Sequence, residues 1–163
     1  MYPDPHSVTR VTSIGAGPIG AGWTAHFLAR GYDVTAYLHD VAETDAFMSI
    51  LNTAWISLTD LGLADGASRD RLRIVTDLNE ALDGAEFVQE SGPERLDVKQ
   101  ALYAKMGTIL PPSVVIGSST SGLMMSDIQA ECPTPERTVI AHPFNPPYLL
   151  PLVEIVGGKK TAP

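Results

Sequence analysis

Short apolar runs alternate along this chain with stretches whose apolar residues recur every three or four positions. Val11-Thr12-Ser13-Ile14 is a β-branched run that stops at Gly15, and Val34 to Leu38 reads as a second strand. Between them the pattern predicts a helix from Pro18 to Ala29, with Gly31 as its stop. Phe47, Met48, Leu51, Ala54, Trp55, Leu58 and Leu61 lie on one side of a further helix that ends near Gly62. Strands are expected over 73–76, 86–89, 113–117, 138–141 and 152–156. A helix is expected over 96–110, stopped by Pro111-Pro112, and a short one over 126–131. Strands alternating with helices imply an α/β fold, a doubly wound and mostly parallel sheet covered on both faces. Residues 1–163 show no repeat and no linker, so a single domain is expected. The last residues follow a strand directly, where such a sheet usually continues into a closing helix or a second domain. We therefore expect a fragment of a two-domain protein.

Composition narrows the partners. Hydrophobic residues make up 44% of the 163 and charged residues 18%, which supports a packed core. Acidic residues outnumber basic ones 19 to 11, for a net charge of -8. That balance argues against nucleic acid and against an anionic membrane surface, both of which need clustered Lys and Arg. No apolar run approaches the roughly 18 residues of a membrane span. Met1 to Arg10 lacks the basic and apolar parts of a signal peptide. The single cysteine, Cys132, leaves no intramolecular disulfide and no multi-cysteine zinc site, and fits a reducing, cytoplasmic setting. No metal site is expected.

Gly15-Ala16-Gly17-Pro18-Ile19-Gly20 matches G-x-G-x-x-G between an expected strand and an expected helix. This is the context of a Rossmann-type dinucleotide site. Gly15 permits the tight turn, Gly17 leaves room for a pyrophosphate, and Gly20 lets helix and strand pack closely. The helix N-terminus offers unpaired N–H groups to the phosphates, and Pro18 is compatible there because it has no N–H to leave unpaired. A glycine turn without a ligand is the alternative. An acid about twenty residues on normally reads the adenosine ribose. Asp40 stands at that distance from Gly20, although the strand ends near Leu38; an exposed loop carboxylate is its other reading. From Gly31 to Ser68 there is no Lys or Arg, against six acids. A 2′-phosphate finds little compensating charge there, which favours NAD over NADP.

His142 follows an expected strand and precedes Pro143-Phe144-Asn145-Pro146-Pro147, whose prolines restrain the backbone. Glu154 lies inside the apolar run Leu152 to Val156, where a lone buried carboxylate is costly. Pairing with His142 answers that cost and leaves the second ring nitrogen available as a base. The alternative puts Glu154 on a solvated edge strand and His142 in a structural loop. Ser118-Ser119-Thr120-Ser121-Gly122 follows a strand of buried type, so its hydroxyls face the crevice at the carboxyl end of the sheet or cap the next helix.

Three blocks extend these observations: Gln89 to Leu96, Gly117 to Leu123, and Ala141 to Glu154. With the glycine loop they resemble the NAD-binding domain of the 3-hydroxyacyl-CoA dehydrogenase superfamily, in order and over nearly the whole chain. The resemblance implies a catalytic base at His142, its paired acid at Glu154, and a serine at Ser121 that contacts substrate and nicotinamide. It implies a substrate-side asparagine at Asn145, and Glu94 and Lys99 in the cofactor cleft. The implied reaction is NAD-dependent oxidation of the 3-hydroxyl of a small hydroxy acid, L-carnitine first, with L-gulonate and a 3-hydroxyacyl-CoA as alternatives. A non-catalytic nucleotide-binding or structural module is the alternative of another class. The family usually ends its second strand with Asp, where this chain has Leu38. The family also has a helical C-terminal domain, outside these residues, that completes the substrate pocket and makes the parent a homodimer.

Overall fold

The structure is a computed structural model that describes residues 4–163. The first three residues of the N-terminal stretch read above lie outside the described residues. Seven strands form one sheet in the order β3-β2-β1-β4-β5-β6-β7. They are β1 (Arg10–Ile14), β2 (Asp33–Tyr37), β3 (Leu72–Val75), β4 (Phe87–Glu90), β5 (Val115–Ser118), β6 (Thr138–Pro143) and β7 (Val153–Gly157). All neighbours pair in parallel except β6 and β7, which are antiparallel. The strand order reverses between β1 and β4, and ligands of open α/β sheets bind in the crevice at such a point.

Helices cover both faces, as the alternating pattern requires. On one face α1 (Pro18–Ala29) and α2 (Thr44–Leu61) pack Ala21, Ala25, Leu28, Phe47, Leu51 and Leu58 against Val34 and Ala36 of β2. On the other, α3 (Leu78–Leu82), α4 (Leu96–Ile109) and α5 (Met125–Ile128) close over Ile14, Val88, Ile116 and Ile140. Gly20 allows the close approach of α1, since a Cβ there would run into the Gly15 carbonyl. Arg137 is buried near the C-terminal end of α4. It donates to the carbonyls of Leu110 (3.2 Å), Val114 (3.1 Å), Gly107 (3.3 Å) and Pro111. The guanidinium thus ties the last turn of α4 to the loop that leads into β5.

Every expected strand is present, with ends shifted by one or two residues. The five-residue helix α3 was not expected; one turn and a half is too short for a 3.6-residue period to stand out. β7 is an edge strand, and its residues from Glu154 to Gly157 are exposed, so Glu154 does not lie in a dry core.

Candidate active site

The carboxyl ends of β1, β2 and β4 border a cleft of ≈ 950 Å³. The glycine loop forms its floor. Gly15 has φ +117°, a conformation that side chains disfavour, and a Cβ there would strike the Ser91 carbonyl. Gly17 faces open space, and no side chain caps the first turn of α1. Ala16, Pro18 and Ile19 line the same floor. An anion therefore meets exposed backbone and a helix N-terminus, the arrangement that a pyrophosphate needs.

Asp40 does not line this cleft. β2 ends at Tyr37, and Asp40 turns back as the N-cap of a 3₁₀ turn, Val41–Glu43, accepting from the Ala42 N–H at 2.9 Å. Glu43 completes this capping box by accepting from the N–H groups of His39 (3.0 Å) and Asp40 (3.3 Å). Tyr37, His39 and Glu43 line the cleft, whereas Asp40 does not. Leu38, which follows β2 directly, is wholly buried.

Lys99 also departs from expectation. It does not line the cleft but lies beneath it, 1% exposed, with Nζ 2.7 Å from Glu90 Oε1. Glu90 further accepts from the Ser118 hydroxyl (2.7 Å) and the Gly92 N–H (2.6 Å). A buried ammonium needs such a partner, and only the fold brings it within reach. Glu94 holds the next loop: it accepts from the Thr120 hydroxyl (2.6 Å) and the N–H groups of Ser121 and Gly122 (both 3.0 Å). Burial pulls its pKa upward, but the Thr120, Gly122 and Ser121 donors and the Lys99 charge outweigh burial and keep it below the ordinary value. Buried Tyr103 stands near this group, and burial, followed by the Glu90 charge, pushes its phenol well above the usual value.

His142 and Glu154 meet across the antiparallel β6–β7 ladder, where they are directly opposed. His142 Nδ1 is 2.8 Å from Glu154 Oε2. The imidazole is 28% exposed and the carboxylate 57%. His142 Nε2 has no hydrogen-bond partner among the described residues. Both Ser121 and Asn145 are exposed at the same carboxyl edge of the sheet. None of these four residues forms a wall of the glycine-loop cleft; they stand further along the edge, past β4.

The sequence profile described as 3-hydroxyacyl-CoA dehydrogenase, NAD binding domain, matches residues 10–163. The chain belongs to this family, as its NAD-binding domain. It is 54% identical to an L-carnitine dehydrogenase of Streptomyces coelicolor, over 97% of this chain and 50% of that protein. To an L-carnitine dehydrogenase of Pseudomonas putida it is 49% identical, over 93% of this chain and 47% of that protein. A solved 3-hydroxybutyryl-CoA dehydrogenase from Escherichia coli superposes with a TM-score of 0.86 at 34% identity, over 96% of this chain and 34% of that one. This family domain thus spans about half the length of the curated relatives it matches. No helix among its described residues is long and apolar enough to cross a membrane.

Residues that sequence reasoning missed lie in this domain's polar interior. Gln89 and Glu90 are buried on β4, and Ser118, whose hydroxyl was expected to face the crevice or to cap the next helix, is buried on β5 and donates to Glu90. Their signal was present, since polar residues within short apolar strands need partners, but most of those partners lie on other elements that only the fold brings near.

Proposed function

We propose that the protein carrying this domain oxidises the 3-hydroxyl of a small hydroxy acid, with L-carnitine as its substrate. The observation that carries the reading is the His142–Glu154 pair at 2.8 Å on the carboxyl edge that also bears the glycine loop. When bound, NAD supplies a two-electron acceptor for the hydride. Gly15, Ala16, Gly17, Pro18, Ile19 and Gly20 hold its pyrophosphate, and Glu43 takes the ribose hydroxyls in place of Asp40.

The chain's own residues handle the proton. His142 accepts the substrate hydroxyl proton at Nε2. Glu154 fixes the tautomer through Nδ1 and stabilises the imidazolium that forms. Ser121 orients the substrate oxygen, and Asn145 contacts the rest of the substrate. Glu94 keeps Ser121 in place through its backbone, and Lys99 acts through Glu90 without touching the cofactor. The relatives named L-carnitine dehydrogenase support the choice of substrate. The scarcity of cations between Gly31 and Ser68 disfavours a CoA thioester, whose phosphates need them. The parent protein works as a homodimer in the cytoplasm, with the remaining half completing the substrate pocket.

The test is NADH formation by the whole protein on L-carnitine, L-gulonate and 3-hydroxybutyryl-CoA. The reading predicts the highest kcat/KM on L-carnitine, by about tenfold or more, the scale of one well-placed polar interaction. Preference for either competitor contradicts the substrate. Activity on none contradicts the dehydrogenase reading for this panel.

A further inference from the structure

We infer that Gln89 is a positioning residue that holds His142 from two strands away, across a gap left by Gly117. The inference rests on the role proposed above for His142. Gln89 on β4 is in register with Gly117 on β5, and Gly117 with Val139 on β6. Its side chain is buried, 1% exposed, and lies over Gly117. A Cβ at Gly117 would come within 2.8 Å of Gln89 Oε1 and 3.0 Å of Ala141 Cβ. The missing side chain is thus the space through which the amide crosses β5.

On the far side, Gln89 Nε2 donates to the Ala141 carbonyl at 3.1 Å. The reason is topological. The β5–β6 ladder ends at Ser118 and Ile140, because the chain then turns away. Ser119 N–H goes to the Glu90 carbonyl (2.7 Å), and Thr120 N–H goes to the Ser118 hydroxyl (3.3 Å). The Ala141 carbonyl loses its ladder donor one residue before His142. An unpaired buried carbonyl is costly, and the amide replaces the missing strand. The β6 segment that presents the imidazole is therefore held by β7 on one side and by Gln89 on the other.

The same nitrogen donates to the Ser119 hydroxyl at 2.8 Å, which bonds the Ser91 hydroxyl at 2.8 Å. Ser91 lines the glycine-loop cleft, and its N–H donates to the Ile14 carbonyl at 2.7 Å. One continuous set of hydrogen bonds thus runs from the end of β1, beside the nucleotide floor, to the residue preceding the base. Its role is to fix the distance between the cleft and the imidazole. Small errors in that distance are expensive for a reaction that depends on alignment.

The test compares Gln89→Met, which keeps length and volume but removes the donor, with Ser119→Ala, which removes the second anchor. Two readouts are used: steady-state kinetics of the whole dehydrogenase, and ring ¹⁵N spectra of the histidines in this chain. Gln89→Met is expected to lower kcat about tenfold while the KM for NAD stays within about twofold. Ser119→Ala is expected to move kcat in the same direction by a smaller factor. The His142 ring signals shift in Gln89→Met, whereas those of His6, His26 and His39 do not. If Gln89→Met does not fold, Ser119→Ala decides alone, through the same kcat loss and His142 shift. Unchanged kcat per folded molecule together with an unmoved His142 signal overturns the inference. His142→Ala is run alongside. If that variant keeps its turnover, the proposed reaction fails, and the ring spectra alone decide whether Gln89 holds the imidazole.

Discussion

Lys99 Nζ lies 2.7 Å from Glu90 Oε1, with the two side chains 1% and 0% exposed, directly under the cleft that the glycine loop floors. Both charges have left water, so each depends on the other. Lys99→Met strands the Glu90 carboxylate and is expected to lower stability by about 3–5 kcal/mol. Adding Glu90→Gln removes the stranded charge and restores most of that loss. Urea unfolding of the single and double variants reads this; a single-variant loss under about 1 kcal/mol contradicts the pairing.

Glu94 tests the loop that carries Ser121. Three donors from residues 120–122 converge on one of its oxygens. Glu94→Ala leaves the N–H groups of Ser121 and Gly122 without acceptors. Hydrogen exchange at those two amides is expected to speed up by about tenfold or more, the equivalent of a net hydrogen bond. Rates equal to the wild type refute the role of Glu94 in holding this loop.

Acid stability has an identifiable contributor at the other end of the sheet. The N–H groups of Thr9 and Arg10 bond Glu86 and, against the opposing effect of burial and with further help from the Arg10 and Thr9 side chains, bring its pKa from 4.5 to about 2. A carboxylate depressed by folding contributes stability that is complete above its unfolded pKa and is lost as pH falls through the folded one. The contribution of Glu86 is therefore intact at pH 4.5 and above and disappears toward about 2. Glu86→Gln should lower Tm at neutral pH and flatten its fall over that acid window. Parallel Tm curves for the two proteins contradict this assignment.

The proposed role of Glu43 toward the ribose is open to direct test. Its carboxylate lines the cleft beside His39, and no Lys or Arg occurs between Gly31 and Ser68 to compensate a 2′-phosphate. Glu43→Gln is expected to weaken NAD and to improve NADP. Their affinity ratio narrows by about tenfold, because a charge-assisted hydrogen bond to the ribose weakens while the repulsion of a 2′-phosphate is relieved. Calorimetric titration of this chain with both nucleotides measures it. An unchanged ratio returns the selectivity to another residue.

How much of this was legible depended on whether the constraint was local. The glycine loop was readable because its steric demands fall on consecutive residues, and the structure shows them at Gly15 and Gly20. The pairing of His142 with Glu154 was inferred from the cost of a lone buried carboxylate, whereas the structure brings the two together by strand register on an exposed edge. Asp40 was picked by its distance from Gly20, and the structure makes it the N-cap of a capping box, a local turn that a residue count does not contain. Lys99 was placed in the cleft by the resemblance alone, and the fold instead buries it against Glu90, nine residues away on another element. Gln89 went unread because its acceptor, Ala141, lies fifty-two residues further on, across a strand whose own side chain had to be absent.

In the proposed reaction His142 takes the substrate proton beside a dinucleotide held by the glycine loop. The most direct measurement is kcat of the whole protein carrying His142→Ala, relative to wild type, at saturating NAD and L-carnitine. The account predicts a fall of roughly 10²–10⁴-fold, the scale of general base catalysis. A kcat within a few-fold of the wild type would contradict it.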